Sequence, residues 1–162
     1  VTIEYIREDQ PLGTAGSLGL LTAPADPIIV INGDILSQVN FSHLRDFHLE
    51  HEAMLTMAVR NYEVQIPYGI VETQGLEVLR MVEKPVYSKF VNAGIYCISA
   101  GALTHLQPNS RMDMPELIER VISSGSRVQI FPLHEYWMDI GRLEDFNRAQ
   151  EEYSARFRLS LF

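Results

Sequence analysis

The sequence predicts an α/β fold: a mostly parallel sheet with helices on both faces, interrupted by one antiparallel hairpin. Three observations lead there. Short continuous apolar runs such as Ile28–Ile31 and Met54–Val59 suit strands covered on both sides. Stretches with helical spacing separate these runs, which implies right-handed crossovers between parallel strands. Finally, Thr73-Gln74-Gly75 joins two short β-rich segments at hairpin spacing. In chain order, Val1–Ile6 alternates weakly and is predicted as a strand. Pro11–Gly16 is a flexible loop entering a short helix through Leu18, Leu20 and Leu21. Ser42 is the expected cap of a helix on which Leu44, Phe47, His48 and His51 recur at helical spacing. Gly69–Glu72 and Val78–Glu83 form the hairpin, Phe90–Ser99 a further strand, and Gly101–Leu106 a short helix closed by Pro108. Asp113 precedes a helix carrying Leu117, Ile118, Val121 and Ile122. Val128–Phe131 is a strand, and Leu143–Phe157 a last helix with Phe146, Ala149 and Tyr153 inward. No role is assigned to Arg156–Phe162.

The 162 residues fit one domain with a real core, since a chain of this length buries about 70% of its unfolded surface. With 21 acidic against 13 basic side chains and a net charge of −8, a nucleic-acid backbone is a poor partner. A mononucleotide is not excluded, because a metal and backbone N–H groups can neutralise its phosphates. Cys97 is the single cysteine, so no intrachain disulfide forms; in the apolar stretch Gly94–Ile98 it is expected to be a buried, inert thiol. No run is long enough to span a bilayer, and the start lacks the pattern of a signal peptide, so no membrane association and a cytoplasmic location are expected.

Two acidic turns carry the chemistry. Asn32-Gly33-Asp34 follows the run at Ile28–Ile31, and Trp137-Met138-Asp139-Ile140-Gly141 precedes the last helix. Each puts a carboxylate at the end of a strand, beside a glycine that lets a ligand approach the backbone. In open α/β sheets ligands bind at the carboxyl ends of strands. Two such aspartates brought together are what Mg²⁺ needs, since it takes one or two carboxylates and completes its shell with phosphate oxygens and water. His43, His48 and His51 share one helix without the further ligands of a zinc site, so a solvated or half-buried face is expected for them. Tyr136 and Trp137 are expected to pack beside Asp139.

Leu12-Gly13-Thr14-Ala15-Gly16, Asn32-Gly33-Asp34, Pro67-Tyr68-Gly69-Ile70, Glu83-Lys84-Pro85, Asn92-Ala93-Gly94-Ile95-Tyr96 and Trp137-Met138-Asp139-Ile140-Gly141 occur in that order over nearly the whole chain. Together they resemble the sugar-1-phosphate nucleotidyltransferases, with the guanylyltransferase-type bacterial members the nearest in look. The resemblance implies a Rossmann-like fold and transfer of a nucleotidyl group from a nucleoside triphosphate, GTP favoured, to a sugar 1-phosphate with release of pyrophosphate. It makes Asp34 and Asp139 the metal-binding carboxylates for Mg²⁺ and Lys84 the holder of the sugar phosphate. Glu83, Gly69, Asn92 and Gly94 then line the sugar pocket, and Gly13 and Thr14 meet the nucleotide base. The residue types suit these roles: an ammonium tracks a moving phosphate oxygen, and an amide donates and accepts as sugar hydroxyls require. Pro85 is expected to hold Lys84 extended, with a bend bringing Glu83 and Lys84 into one pocket.

The family's glycine-rich loop carrying an arginine has no counterpart in these residues, and Val1–Ile6 matches a strand that follows that unit. The chain therefore resembles the C-terminal part of one transferase domain, truncated at its N-terminus. Two expectations follow: little transferase activity alone, and self-association through unpaired sheet edges. A catalytically silent subunit that binds nucleotide or sugar nucleotide is the alternative. A glycosyltransferase is more remote, because Asn32 stands where an Asp-x-Asp would place its first carboxylate.

Overall fold

The computed structural model describes residues 2–22, 24 and 27–157, so Val1 and the tail beyond residue 157 lie outside the described residues. Helix α1 (Gly13–Gly16) runs into a 3-10 turn, Ser17–Leu20. Strands β1 (Ile28–Ile31) and β2 (Ile35–Ser37) flank the Asn32-Gly33-Asp34 turn, and α2 (Phe41–Glu50) follows. Then come β3 (Leu55–Gln65), the hairpin β4 (Ile70–Gln74) and β5 (Glu77–Val82), and the long β6 (Val86–Ile98). Helices α3 (Ala100–Leu103) and α4 (Met114–Ser123), strands β7 (Val128–Pro132) and β8 (Trp137–Asp139), and helix α5 (Leu143–Arg156) complete the order.

The central sheet has the order β1-β6-β3-β7. It corrects the expectation of a mostly parallel sheet. β1, β3 and β7 share one direction, but β6 runs against both of its neighbours, leaving β3–β7 as the one parallel pairing in this sheet. The reason is local. The hairpin returns the chain beside β3, so β6 pairs antiparallel with the strand that led into the hairpin.

Helices cover both faces, as expected. Alternation along β6 divides the core: Tyr96 and Ile98 join Leu55, Met114, Leu117 and Val121 beneath α4, whereas Ile95 and Cys97 join Leu44, Ala58 and Leu133 on the α2 side. In α4, Met114, Leu117 and Val121 form the buried stripe. Ile122, expected to share it, is 54% exposed, because five residues on from Leu117 the helix has turned about 140° away.

Residues 2–6 form no strand. Ile3, Tyr5 and Ile6 are all exposed, and alternation without a cross-strand partner does not hold a chain extended. β3 and β6 extend further than their apolar runs predict. Their distal halves, Arg60–Gln65 and Val86–Val91, are held by mutual ladder pairing rather than by burial.

Asn40, not Ser42, caps α2, its side chain accepting the His43 N–H at 3.1 Å. His43 is exposed and His51 half-buried, but His48 departs from the solvated or half-buried face expected. It is 1% exposed, with Nδ1 2.8 Å from Thr56 Oγ1 and Nε2 2.8 Å from Ser99 Oγ. Ser99 donates its own proton to the Ala53 carbonyl, so Nε2 carries hydrogen and Nδ1 accepts from Thr56. Burial pushes the His48 pKa below its ordinary 6.5. The unfolded chain therefore binds the extra proton more readily. The stabilisation is complete above about pH 6.5 and declines as pH falls below it. Denaturant melts from pH 7.5 to 5 are expected to show this loss, and His48→Gln to flatten the slope; equal slopes would rule the histidine out.

Cys97 is buried as expected, and burial pushes its thiol up to about 11, which keeps it protonated and inert. Among the described residues no helix is long and apolar enough to cross a membrane.

Candidate active site

The two acidic turns meet through a pairing that the sequence does not announce. Strand β2 pairs antiparallel with β8, Ile35 opposite Asp139 and Ser37 opposite Trp137, and the Ile140 N–H donates to the Asp34 carbonyl at 2.8 Å. Asp34 and Asp139 thus stand side by side at one end of this ribbon. Gly141 reports their closeness. A methyl built on its Cα would lie 3.0 Å from Asp139 Oδ1 and 3.6 Å from Asp34 Oδ2. Asp139 Oδ1 also accepts the Gly141 N–H at 2.9 Å, which orients that carboxylate. Both aspartates are exposed, so their oxygens are open to a cation and to water. Among the described residues no group of three or more His, Cys, Asp or Glu side chains gathers to hold a metal. A cation here would draw its other ligands from phosphate oxygens and water, as Mg²⁺ does with nucleotides.

A bulge in β6 supports the Asp34 turn from behind. The ladder passes from Met57↔Tyr96 to Val59↔Asn92, throwing Ala93–Ile95 out of register. Gly94 sits there with φ +69°, and a Cβ on it would come within 2.9 Å of Asn32 Nδ2. Its carbonyl accepts the Asn32 N–H at 2.9 Å. Asn92 shapes the bulge with both ends of its amide: Oδ1 accepts the Gly94 N–H at 2.9 Å, and Nδ2 donates to Tyr96 Oη at 2.7 Å. Trp137 pins the neighbouring peptide by donating Nε1–H to the Ala93 carbonyl at 2.8 Å. In the sequence Asn32 stands out only as the residue in place of a first carboxylate; its close packing against Gly94, by its N–H and its amide, is not signalled there.

A cleft of about 550 Å³ opens on the other side of this turn, lined by Gly13, Thr14, Ser17, Leu18 and Val30–Asp34. The segment assigned to the base and the first aspartate therefore face one hollow. Thr14 lies inside α1 and does not cap its own helix. Its Oγ1 accepts the Met114 N–H at the start of α4, at 2.7 Å, while Asp113 Oδ1 accepts the Thr14 N–H at 3.2 Å. Gly13 has φ +77°, and a Cβ there would lie 2.5 Å from Asp113 Oδ1, so the glycine is required by the protein's own packing.

Gly69 and Glu83 form a second group. A Cβ on Gly69 would meet Glu83 Oε2 at 2.8 Å. Lys84 is not extended as Pro85 was expected to impose: its φ is +43°, a left-handed conformation uncommon outside glycine. The bend follows β5 directly and turns the chain into β6, and such strained backbone persists only where the surroundings enforce it. Both Glu83 and Lys84 are exposed, and among the described residues Lys84 makes no ion pair. No hydrogen bond or ion pair among the described residues joins this bend to the Asp34–Asp139 pair.

Comparison with known proteins places the chain in a family. Mannose-1-phosphate guanyltransferase of Schizosaccharomyces pombe is 33% identical over 156 residues, covering 90% of this chain and 42% of that protein. The mannose-1-phosphate guanylyltransferase catalytic subunit beta of Dictyostelium discoideum is 34% identical over 157 residues with the same coverage. The chain thus spans about two fifths of the length of these relatives. Among solved structures, HddC from Yersinia pseudotuberculosis complexed with GMP-PN superposes with a TM-score of 0.63 at 25% identity, over 91% of this chain and 65% of that one. A Bacillus anthracis protein crystallised with a sucrose gives 0.70 at 18% identity, over 100% of this chain and 68% of that one, which shows a shared fold. The family described as Nucleotidyl transferase matches residues 1–156. By that match over almost its whole length, the chain belongs to the nucleotidyl transferase family.

Proposed function

We propose that this chain is the part of a sugar-1-phosphate nucleotidyltransferase that carries the carboxylate pair and the sugar side of the site. In the intact protein it serves transfer of a guanylyl group from GTP to a sugar 1-phosphate, mannose 1-phosphate foremost. The observation carrying this reading is the meeting of Asp34 and Asp139 beside Gly141, with the Gly13–Thr14 segment and Asp34 lining one cleft. The two guanylyltransferase relatives and the GMP-PN complex of HddC favour GTP and mannose 1-phosphate among the pairs to test.

In the reaction a phosphate oxygen of the sugar 1-phosphate forms a bond to the α-phosphorus. The bond to the β-phosphate bridge oxygen breaks, and pyrophosphate leaves with that electron pair. Asp34 and Asp139 would hold Mg²⁺, which when bound neutralises charge on the phosphoryl oxygens. Lys84 engages the sugar phosphate as a mobile cation, free of any internal ion pair among the described residues. Glu83 and Gly69 in the bend, and Asn92 and Gly94 in the bulge, line the sugar side. Gly13 and Thr14 present backbone to the base. Catalysis of this kind rests on positioning and on charge stabilisation, and a cytoplasmic setting supplies both substrates.

The test is pyrophosphate release by the full-length protein across a panel of nucleoside triphosphates and sugar 1-phosphates in Mg²⁺. GTP with mannose 1-phosphate is expected to give the highest kcat/KM. No release with any pair would reject the proposal and favour a binding subunit.

One edge of β1 has no strand beside it among the described residues, and Ile31 on that strand is 42% exposed. An open apolar edge recruits another strand. Sedimentation velocity of the 162-residue, 18.4 kDa chain alone is expected to show dimers or larger species at micromolar concentration; a clean monomer would remove the self-association proposal.

A further inference from the structure

We infer that Asp113, which lies outside the cleft lining, is a positioning residue for nucleotide binding: its carboxylate clasps the Gly13–Thr14 segment and fixes the shape that segment presents to the cleft. The inference rests on the proposed nucleotide site and adds to it a residue that does not touch ligand.

Five observations converge on the clasp. Asp113 occupies the cap position of α4 yet makes no side-chain cap bond to that helix. Its Oδ1 reaches instead across to the Thr14 N–H at 3.2 Å, and Oδ2 is held by Arg111 at 3.3 Å, so both oxygens are oriented. The vacant cap bond of α4 is supplied in return by Thr14, whose Oγ1 accepts the Met114 N–H at 2.7 Å. The two segments thus exchange caps, each satisfying an N–H of the other. Backbone bonds lock the same crossing: Met112 donates to the Leu12 carbonyl at 2.9 Å, and Ala15 and Gly16 both donate to the Met112 carbonyl at 3.0 Å. Finally, Gly13 and Gly16 leave room for no Cβ, which would sit 2.5 Å from Asp113 Oδ1 and 2.6 Å from the Ser110 carbonyl respectively. Gly13 and Thr14 are at once the clasped residues and part of the cleft lining. The start of α4 therefore sets the position of a surface against which a base would lie, and a small misplacement of such a surface weakens binding.

The consequence separates nucleotide from sugar. Asp113 bears on the Gly13–Thr14 side of the cleft, and among the described residues it makes no hydrogen bond or ion pair with Gly69 or Glu83. Titration calorimetry of the full-length protein with GTP and Mg²⁺ tests this, paired with amide hydrogen exchange at Thr14. Asp113→Ala is expected to weaken GTP about tenfold and to speed Thr14 exchange, with mannose 1-phosphate affinity held within about twofold. Asp113→Asn keeps an oxygen acceptor for the Thr14 N–H while losing the exposed Arg111 pair, so it is expected to bind GTP like the parent. Asp113→Glu leaves no cavity but pushes its carboxylate into Gly13, so it should weaken GTP even if the alanine variant fails to fold. Parental GTP affinity in both Asp113→Ala and Asp113→Glu would overturn the inference alone. An Asp113→Asn variant that binds as weakly as Asp113→Ala would overturn it too. A full-length parent that binds no GTP would overturn the nucleotide site itself, and the inference with it.

Discussion

Asp139→Asn is expected to reduce Mg²⁺-dependent nucleotidyl transfer by the full-length protein on the order of 10²-fold or more, with its melting temperature unchanged. The fold tolerates the change because asparagine keeps an oxygen to accept the Gly141 N–H, the one hydrogen bond that this side chain makes among the described residues. The β2–β8 pairing that places residue 139 is all backbone and does not depend on the carboxylate. What is lost is charge: one of two anionic oxygens that converge near Gly141 becomes a neutral amide. Asp34→Asn should have a similar effect, and the double variant should fall little further, since two residues that act as a unit are not additive. Turnover by Asp139→Asn at the parental rate, assayed by pyrophosphate release, would remove the carboxylate pair from the chemistry.

Gly94→Ala carries the second large effect. At φ +69° an alanine pays the left-handed penalty, and its methyl would press to 2.9 Å from Asn32 Nδ2, 3.1 Å from Asn32 Cγ and 3.2 Å from an Ile35 side-chain carbon. Together these are expected to cost about 1–3 kcal/mol in denaturant unfolding. The strain falls on the turn that carries Asp34, so turnover is expected to drop further than stability alone explains. Asn32→Gly in the same chain removes the Asn32 part of the crowding but leaves the Ile35 contact and the φ penalty, so the double variant should recover part of the loss. If Gly94→Ala unfolds within about 0.5 kcal/mol of the parent, the close fit between bulge and turn is not what holds the site.

Much of this was legible beforehand, for identifiable reasons. Continuous apolar runs marked β1 and the inner half of β3, and the inner half of β3 is indeed largely buried. The hairpin was visible from Thr73-Gln74-Gly75, and Gly75 indeed turns there at φ +60°. The reversed direction of β6 was not, since periodicity says whether a strand is covered but not which way its neighbour runs. The three-residue strands β2 and β8 were too short to leave a pattern, although they alone bring Asp34 to Asp139. Lys84 misled because proline constrains its predecessor only statistically, and here the bend between β5 and β6 takes precedence. Residues 2–6 alternate but pair with no strand among the described residues, which no local pattern can reveal. Helical spacing put His48 on the face of Leu44 and Phe47, but its full burial shows only once α2 is laid against Thr56 and Ser99.

The β2–β8 ribbon also fixes when the site can come into being. Ser37 and Tyr136, joined by a hydrogen bond in that ribbon, are 99 positions apart, so the pairing closes one of the widest loops in the chain. During synthesis Asp34 leaves the ribosome long before Asp139, and the central sheet can dock while β2 still waits. Contacts of such high sequence separation form slowly and late. A nascent chain ending before β8 would carry a packed sheet and no carboxylate pair, so competence arrives only once β8 has been made.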